Sequence, residues 1–254
     1  MKLAISGKGG VGKTTLTALL ARAFSKMNKK VLVVDADPDP NLATALGFKN
    51  IKSITPIADM KELIEERTGA KPGGFGGFFK MNPKVDDIPE EMSVEKDGIR
   101  LLVLGTVQAG AGCICPESVL LKNLVTYLVL ERDEVVILDM EAGVEHLGRA
   151  TAGAVNRLII VVEPGKRAIE TLERVKELAT GIGIKNLAVV GNKVRGENDK
   201  KFILENSRDI PVIGLLPFSE GMVDADREGL PASEGDPILL KEAEKIAQLL
   251  LESR

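Results

Sequence analysis

The chain has 254 residues, a formal net charge of −3 and an apolar fraction of 44%. This length suffices for one large α/β domain with a buried core, and the charge argues against the broad basic surface that nucleic-acid binding needs. Since no apolar run is long enough to span a bilayer and no signal peptide is visible, we expect a cytoplasmic protein that binds neither nucleic acid nor membranes. Its cysteines should be reduced thiols unless a metal holds them.

Short apolar runs alternate with helical patterns along the chain. The predicted strands cover residues 2–6, 30–35, 99–104, 134–139, 157–162, 186–191 and 211–216. Helical periodicity covers residues 14–27, 116–130, 168–180 and 237–251. This alternation predicts βαβ crossovers, and hence a single α/β domain over residues 1–254 with a mainly parallel twisted sheet flanked by helices on both faces.

One segment, from about residue 70 to residue 98, interrupts this rhythm. It holds the run Lys-Pro-Gly-Gly-Phe-Gly-Gly-Phe-Phe at 71–79, followed by Pro83 and Pro89. Glycine and proline at this density predict a loop rather than a helix or a central strand. We interpret the segment as an insertion within the same domain.

The first loop carries a phosphate-binding signature. Residues 7–15 read Gly-Lys-Gly-Gly-Val-Gly-Lys-Thr-Thr, which fits G-x-x-x-x-G-K-[ST] between a strand pattern and a helix pattern. Such glycines let backbone N–H groups converge on phosphate oxygens at the positive end of the following helix. The motif predicts ATP or ADP with Mg²⁺, in which Lys13 reaches the β- and γ-phosphates and Thr14 ligates the metal. The remaining cradle positions are Gly9, Gly10, Val11, Gly12 and Thr15.

Two predicted strands end in carboxylates. Residues 31–34 lead into Asp35-Ala36-Asp37-Pro38-Asp39, and residues 135–138 lead into Asp139. Carboxylates at the C-terminal ends of parallel strands point into the crevice where ligands bind. Asp139 suits the Walker B role of holding magnesium, directly or through water. Asp35 and Asp39 are better explained as solvated or structural residues.

The early lysine, Lys8, makes the phosphate loop resemble the deviant version found in the MinD, ParA and nitrogenase iron-protein group. In that group this lysine contacts nucleotide across a dimer interface, so the resemblance implies an ATP-dependent homodimer. The alternative interpretation is a solvated loop lysine. The resemblance also implies that Asp37 orients or deprotonates the attacking water and that Asn41 occupies a neighbouring switch position.

Two later strand ends fit the same group. Asn192 and Lys193 follow the strand predicted at 186–191, where the group has an asparagine that reads the adenine edge. Pro217 and Phe218, after the last predicted strand, resemble its base-side wall. These residues imply the adenine side of a nucleotide site.

Cys113 and Cys115 are the only cysteines. In extended backbone, residues two apart project to the same side with Cα atoms roughly 7 Å apart, so the two sulfurs can converge on one metal ion. Pro116 fits the first position of a helix, whose N-terminal end favours the metal-binding thiolate form. Two sulfurs leave a four-coordinate site incomplete, which a second chain could complete, and thiolates suit zinc, copper(I) or nickel. The alternative is a pair of small buried hydrophobic residues.

Together these features resemble the CooC-type ATPases. The resemblance extends over residues 139–149, 66–70 and 82–87 and the Gly/Phe loop between the last two, and covers nearly the whole chain. It implies a cytoplasmic homodimer that binds nickel, or zinc in its place, through the paired cysteines. Its client would be nickel-containing carbon monoxide dehydrogenase or the related acetyl-CoA synthase. ATP and metal would both favour the closed dimer, and hydrolysis would reopen it.

Two other functions are compatible with such a phosphate loop. One is a positioning ATPase of the ParA or MinD type. MinD-like proteins need a terminal amphipathic membrane anchor, whereas the mixed charge of the last helix here suits a helix packed on its own domain. An iron–sulfur redox ATPase separates its cluster cysteines widely along the chain, whereas these lie two apart. His146, the only histidine, falls in the second switch region. We interpret it as a polar residue on the switch helix rather than as a link between nucleotide state and client, and no local spacing makes it a metal ligand.

Overall fold

The computed structural model describes residues 1–37, 40–72, 78–105, 115–144, 147, 151 and 153–252. Within these residues the strands form one eight-stranded sheet in the order β3-β4-β2-β5-β1-β6-β7-β8. The strands are β1 (Lys2–Gly7), β2 (Val31–Asp35), β3 (Val94–Lys96), β4 (Ile99–Val103), β5 (Val135–Asp139), β6 (Arg157–Val162), β7 (Leu187–Val194) and β8 (Val212–Pro217). Neighbouring strands are parallel except β3 and β4, which confirms the predicted mainly parallel sheet.

Helices cover both faces of the sheet. One face carries α1 (Lys13–Lys26), α2 (Leu42–Ala45), α8 (Glu220–Glu228), α9 (Ala232–Gly235) and α10 (Pro237–Glu252). The opposite face carries α3 (Lys61–Thr68), α4 (Ile88–Met92), α5 (Pro116–Leu130), α6 (Lys166–Ile182) and α7 (Glu197–Asn206). The layers therefore follow the α/β/α arrangement that the alternating pattern predicts.

Each central strand packs against both helical layers. In β1, Leu3 and Ile5 join the core on the α1 face, and Ala4 joins the core on the α5 face. Because both faces are covered, these strands read as continuous apolar runs without polar alternation. Burial of one such Leu or Ile side chain contributes about 1.5–3 kcal/mol before the entropy cost of ordering it.

The last helix, α10, packs on its own chain. Leu239, Ala243, Ile246 and Leu250 lie along one face and are buried with α1 residues in the same core. This packing confirms the interpretation drawn from its mixed charge. In the part of the chain that the structure describes, no helix combines the length and apolarity needed to cross a membrane.

The prediction of a loop throughout residues 70–98 is wrong in its second half. Residues 88–92 form α4, and Val94–Lys96 form the edge strand β3, which pairs antiparallel with β4. Pro89 is tolerated because it lies in the first turn of α4, where no helical N–H bond is lost. The hairpin turns at Asp97 and Gly98, both at positive φ. Asp-Gly is a strong signal for such a turn, and the sequence analysis missed it.

Candidate nucleotide site

The phosphate loop joins β1 to α1, as predicted, and its backbone conformation requires glycine at two positions. Gly10 and Gly12 have φ angles of 75° and 97°, a region that strains other residues. A Cβ atom on Gly12 would collide with the side-chain amide of Asn192, whereas a Cβ atom on Gly9 or Gly10 would meet open space. The first helical bond runs from Leu16 N–H to Gly12 O at 3.0 Å, so the loop passes directly into α1. The open side of the loop leaves room for an anion at the helix N-terminus.

Lys13 and Asp37, predicted separately, lie together. The Lys13 Nζ atom is 3.9 Å from Asp37 Oδ2, and the Lys13 side chain is only 8% exposed. Asp37 belongs to the segment that follows β2, where its N–H donates to Asp35 Oδ1 at 3.2 Å. The buried ammonium group of Lys13 thus faces the carboxylate of Asp37.

Asp139 ends β5 and is 1% exposed. Burial raises the pKa of its carboxyl to about 6, and the Thr14 hydroxyl, the Lys13 charge and the Thr17 hydroxyl oppose this shift. Even so, neither Asp139 oxygen has a hydrogen-bond partner of good geometry within the described residues. The same is true of the Thr17 hydroxyl. A buried, unsatisfied carboxylate beside a threonine hydroxyl supplies the oxygen ligands that Mg²⁺ prefers, so these residues fit that ion.

Asp35 has the structural role that its sequence position suggested. It lies beside Asp139 in the sheet and accepts hydrogen bonds from the N–H groups of Asp37 at 3.2 Å and Leu42 at 3.0 Å. Burial raises the pKa of this carboxyl to about 7, and the nearby Asp139 charge adds to the shift. Asp35 therefore shapes the segment that presents Asp37. Asn41 is exposed immediately before α2, and Asp39 lies outside the described residues.

Ser6 is a residue that the sequence analysis missed. Its hydroxyl is fully buried and lies 2.8 Å from Glu141 O and 2.9 Å from Gly143 O, to either of which it can donate. It also accepts from Gly143 N–H at 3.1 Å. One side chain therefore connects the strand before the phosphate loop to the segment after Asp139. The available signal was a small polar residue at the end of an otherwise apolar strand.

The predicted adenine side combines expected and unexpected residues. Asn192 Nδ2 donates to Val11 O at 2.8 Å, which leaves the Asn192 side-chain oxygen as an acceptor suited to an amino group. The guanidinium of Arg195 lies 4.2 Å from the centre of the Phe218 ring, a cation–π contact that the sequence analysis missed. Pro217 ends β8, and Phe218 N–H donates to Val194 O at 3.0 Å.

Lys193 is placed differently from the prediction. Strand β7 continues to Val194, so Lys193 lies within the strand rather than after it. Its Nζ atom donates to Gly10 O at 2.6 Å and lies 3.4 Å from Glu163 Oε2. Lys8 approaches the other oxygen of the same carboxylate, with Nζ 3.7 Å from Glu163 Oε1. Glu163 was not among the predicted residues, because it belongs to no recognised motif.

The cysteine segment is described from Cys115 onward. Pro116 is the first residue of α5, as predicted, and Cys115 is its partly exposed N-cap. The Cys115 sulfur accepts from Ser118 N–H at 3.5 Å, while Ser118 Oγ accepts from Cys115 N–H at 3.2 Å. Cys113 and His146 lie outside the described residues, so the convergence of the two sulfurs stays a prediction.

Comparisons with known proteins agree with this geometry. Residues 2–232 match the CobQ/CobB/MinD/ParA nucleotide binding domain. An uncharacterized ATP-binding protein of Methanocaldococcus jannaschii is 47% identical over 99% of this chain and 98% of its own length. The carbon monoxide dehydrogenase accessory protein CooC of Rhodospirillum rubrum is 43% identical over 99% of this chain and 97% of its own length.

A solved structure supports the fold. The MinD cell division protein of Aquifex aeolicus has a TM-score of 0.68 at 22% identity, covering 99% of this chain and 98% of that one. This likeness concerns the backbone arrangement, whereas the two relatives above share extensive sequence. The chain therefore belongs to the CobQ/CobB/MinD/ParA nucleotide-binding family, and within it to the CooC-type ATPases.

Proposed function

We propose that the chain is a magnesium-dependent ATPase that splits ATP into ADP and phosphate. The observation that carries this proposal is the meeting of buried Lys13, Asp37 and the unsatisfied Asp139 at one edge of the sheet, beside an open glycine loop. ATP would lie along residues 9–15, with its adenine toward Asn192, Pro217 and Phe218. Titration calorimetry with ATP, ADP and GTP in the presence of Mg²⁺ tests nucleotide binding, and phosphate release tests hydrolysis. Absence of either with adenine nucleotide would overturn the proposal.

The chain's own groups divide the chemistry between them. Lys13 stabilises the negative charge on the transferred phosphoryl group. Asp37 orients water and accepts its proton as the water oxygen bonds to the γ-phosphorus and the bridging oxygen leaves with ADP. Since Asp37 now faces Lys13, arrival of the phosphates would draw Lys13 toward them and release Asp37 for the water. Magnesium held by Thr14 and Asp139 would neutralise phosphate charge. Lys8 and Asn41 would keep the roles expected from the family: Lys8 contacts the nucleotide of the partner chain, and Asn41 occupies a switch position.

The proposed client follows from the relative rather than from the phosphate site. The Rhodospirillum rubrum protein is a carbon monoxide dehydrogenase accessory protein, and 43% identity over nearly the whole chain supports a related task here. We propose that this chain, as a homodimer, carries nickel for the maturation of that enzyme or of acetyl-CoA synthase, with zinc able to replace nickel. Cys113 and Cys115 of each chain would hold the cargo ion, and nucleotide hydrolysis would open the dimer to release it.

Replacing both Cys113 and Cys115 by serine is expected to abolish metal binding and metal-induced dimerisation. Each chain offers two thiolates and a closed site usually needs four ligands, so the wild type should bind one ion per two chains. Metal shared in this way stabilises the dimer by mass action. Anaerobic nickel and zinc titrations, followed by sedimentation with metal counted per chain, measure both quantities.

The double serine variant contains its own control for folding. Serine is a favourable N-cap, so the start of α5 should survive the loss of Cys115. Nucleotide binding should also be retained, since the phosphate loop is a separate site. One ion bound tightly to each monomeric chain, or unchanged metal affinity in the variant, would contradict the shared site.

A further inference from the structure

We propose that Lys193 and Glu163 form a positioning pair that holds the phosphate loop in its anion-binding shape. Lys193 acts through the backbone carbonyl of Gly10 rather than on the nucleotide itself. This inference rests on the proposed nucleotide site and assigns a role to two residues that touch the loop from the neighbouring strands β6 and β7.

Two carbonyl groups of the phosphate loop accept hydrogen bonds from side chains of β7. A loop that turns its N–H groups toward an anion must turn carbonyl oxygens away from it, and these oxygens need donors. Two consecutive carbonyls here have one each. Lys193 Nζ donates to Gly10 O at 2.6 Å, and Asn192 Nδ2 donates to Val11 O at 2.8 Å. Together the two side chains restrain the loop through its carbonyl groups, so that its N–H groups stay available to an anion.

An irregularity in the backbone of β7 lets two adjacent residues reach the same loop. Successive side chains of a regular strand point to opposite faces of the sheet, so Asn192 and Lys193 should diverge. The β7–β8 pairing shifts register between Gly191 and Val194, and Lys193 has a φ angle of 58°. Bulges of this kind often lie next to functional sites and redirect a side chain. This backbone irregularity places both donors, Asn192 Nδ2 and Lys193 Nζ, against the phosphate loop.

The Glu163 carboxylate lies beside the Lys193 ammonium group. Glu163 follows the last residue of β6, and its two oxygens lie 3.4 Å from Lys193 Nζ and 3.7 Å from Lys8 Nζ. All three side chains are partly exposed, so the pair energies are modest. We infer that Glu163 acts mainly by orienting the Lys193 side chain, whose Nζ atom also donates to Gly10 O.

The test compares Lys193→Met and Glu163→Ala in their affinities for ADP and ATP, measured by calorimetry with Mg²⁺. A hydrogen bond from a charged group supports an expected loss of roughly tenfold for each variant. The affinities for ATP and ADP should fall by the same factor. The double variant should bind nucleotide no more weakly than the weaker-binding single variant does. The direction of the affinity change in Glu163→Ala is decisive. Removal of a carboxylate beside an anion site would ordinarily tighten nucleotide binding, whereas loss of the positioning pair should weaken it.

Hydrogen exchange of the nucleotide-free proteins provides a second measurement. Amides of residues 8–12 should exchange faster in Glu163→Ala than in wild type, while Glu163→Gln, which keeps an acceptor for Lys193, should stay near wild type in both assays. If Lys193→Met fails to fold, the two Glu163 variants still decide the question. Lys201 and Glu205, an exposed pair on α7 with a 3.8 Å separation, provide matched control changes that should leave affinity unaltered.

The outcomes separate this inference from the function on which it rests. Wild-type protein that binds neither ADP nor ATP would overturn the proposed ATPase. Wild-type binding with unchanged affinity in the Lys193 and Glu163 variants would overturn the positioning pair alone. A loss in Lys193→Met that is larger for ATP than for ADP, with tighter binding in Glu163→Ala, would make Lys193 a direct phosphate ligand.

Discussion

Lys13→Ala is expected to abolish ATP hydrolysis and to weaken nucleotide binding by about a hundredfold or more. The Lys13 side chain is only 8% exposed, so its charge acts on phosphate oxygens with little screening by water. The change also leaves Asp37 and Asp139 without the cation beside them, and their charges would then repel the incoming phosphates. Phosphate release at saturating ATP and Mg²⁺, with calorimetry for binding, measures the two effects.

Lys26→Ala is a suitable control for that variant. Lys26 lies at the other end of α1 and pairs with Glu244 of α10 at 2.8 Å, on an exposed surface. Loss of such a pair should cost at most about 1 kcal/mol of stability and should not alter turnover. Near-normal hydrolysis by Lys13→Ala would rule out the proposed phosphate site, whatever the control shows.

Asp37→Asn is expected to bind ATP as well as wild type does, or slightly more tightly, and to lose about a hundredfold to ten-thousandfold in turnover. The amide keeps the shape of the side chain but cannot accept a proton from water as a carboxylate does. Affinity should not fall, because the substitution removes a negative charge that lies 3.9 Å from Lys13 Nζ and competes with phosphate for it. Single-turnover hydrolysis and equilibrium binding separate the two quantities.

A change at Asp133 gives the matching control. Asp133 is exposed just before β5, at the edge of the sheet opposite the phosphate loop, so Asp133→Asn should leave both binding and turnover unchanged. If Asp37→Asn instead hydrolyses ATP at the normal rate but binds it poorly, Asp37 is a binding residue and its proposed role in orienting water is wrong.

The sequence alone is enough to predict the fold class, most strands and the phosphate loop. These features are local: an apolar run covered on both faces, a helical period, and glycines where a side chain would clash or be strained. It also placed Asp37 and Asp139 at one edge, because parallel strands share a carboxyl end. The turn at Asp97 and Gly98 was equally local, and could have been predicted from the same kind of pattern.

How these parts meet depends on long-range packing that the sequence patterns do not reveal. Ser6 with Gly143, and Lys193 with Gly10, are separated by 137 and 183 positions, and no local pattern encodes such contacts. The same holds for Glu163, whose significance comes from two lysines on other elements. The bulge in β7 redirects Lys193 against the alternation that its strand pattern predicts. Among the described residues, burial also leaves the Asp139 carboxylate without a hydrogen bond of good geometry, because desolvation and hydrogen bonding depend on which chain segments pack around a group rather than on its neighbours in sequence.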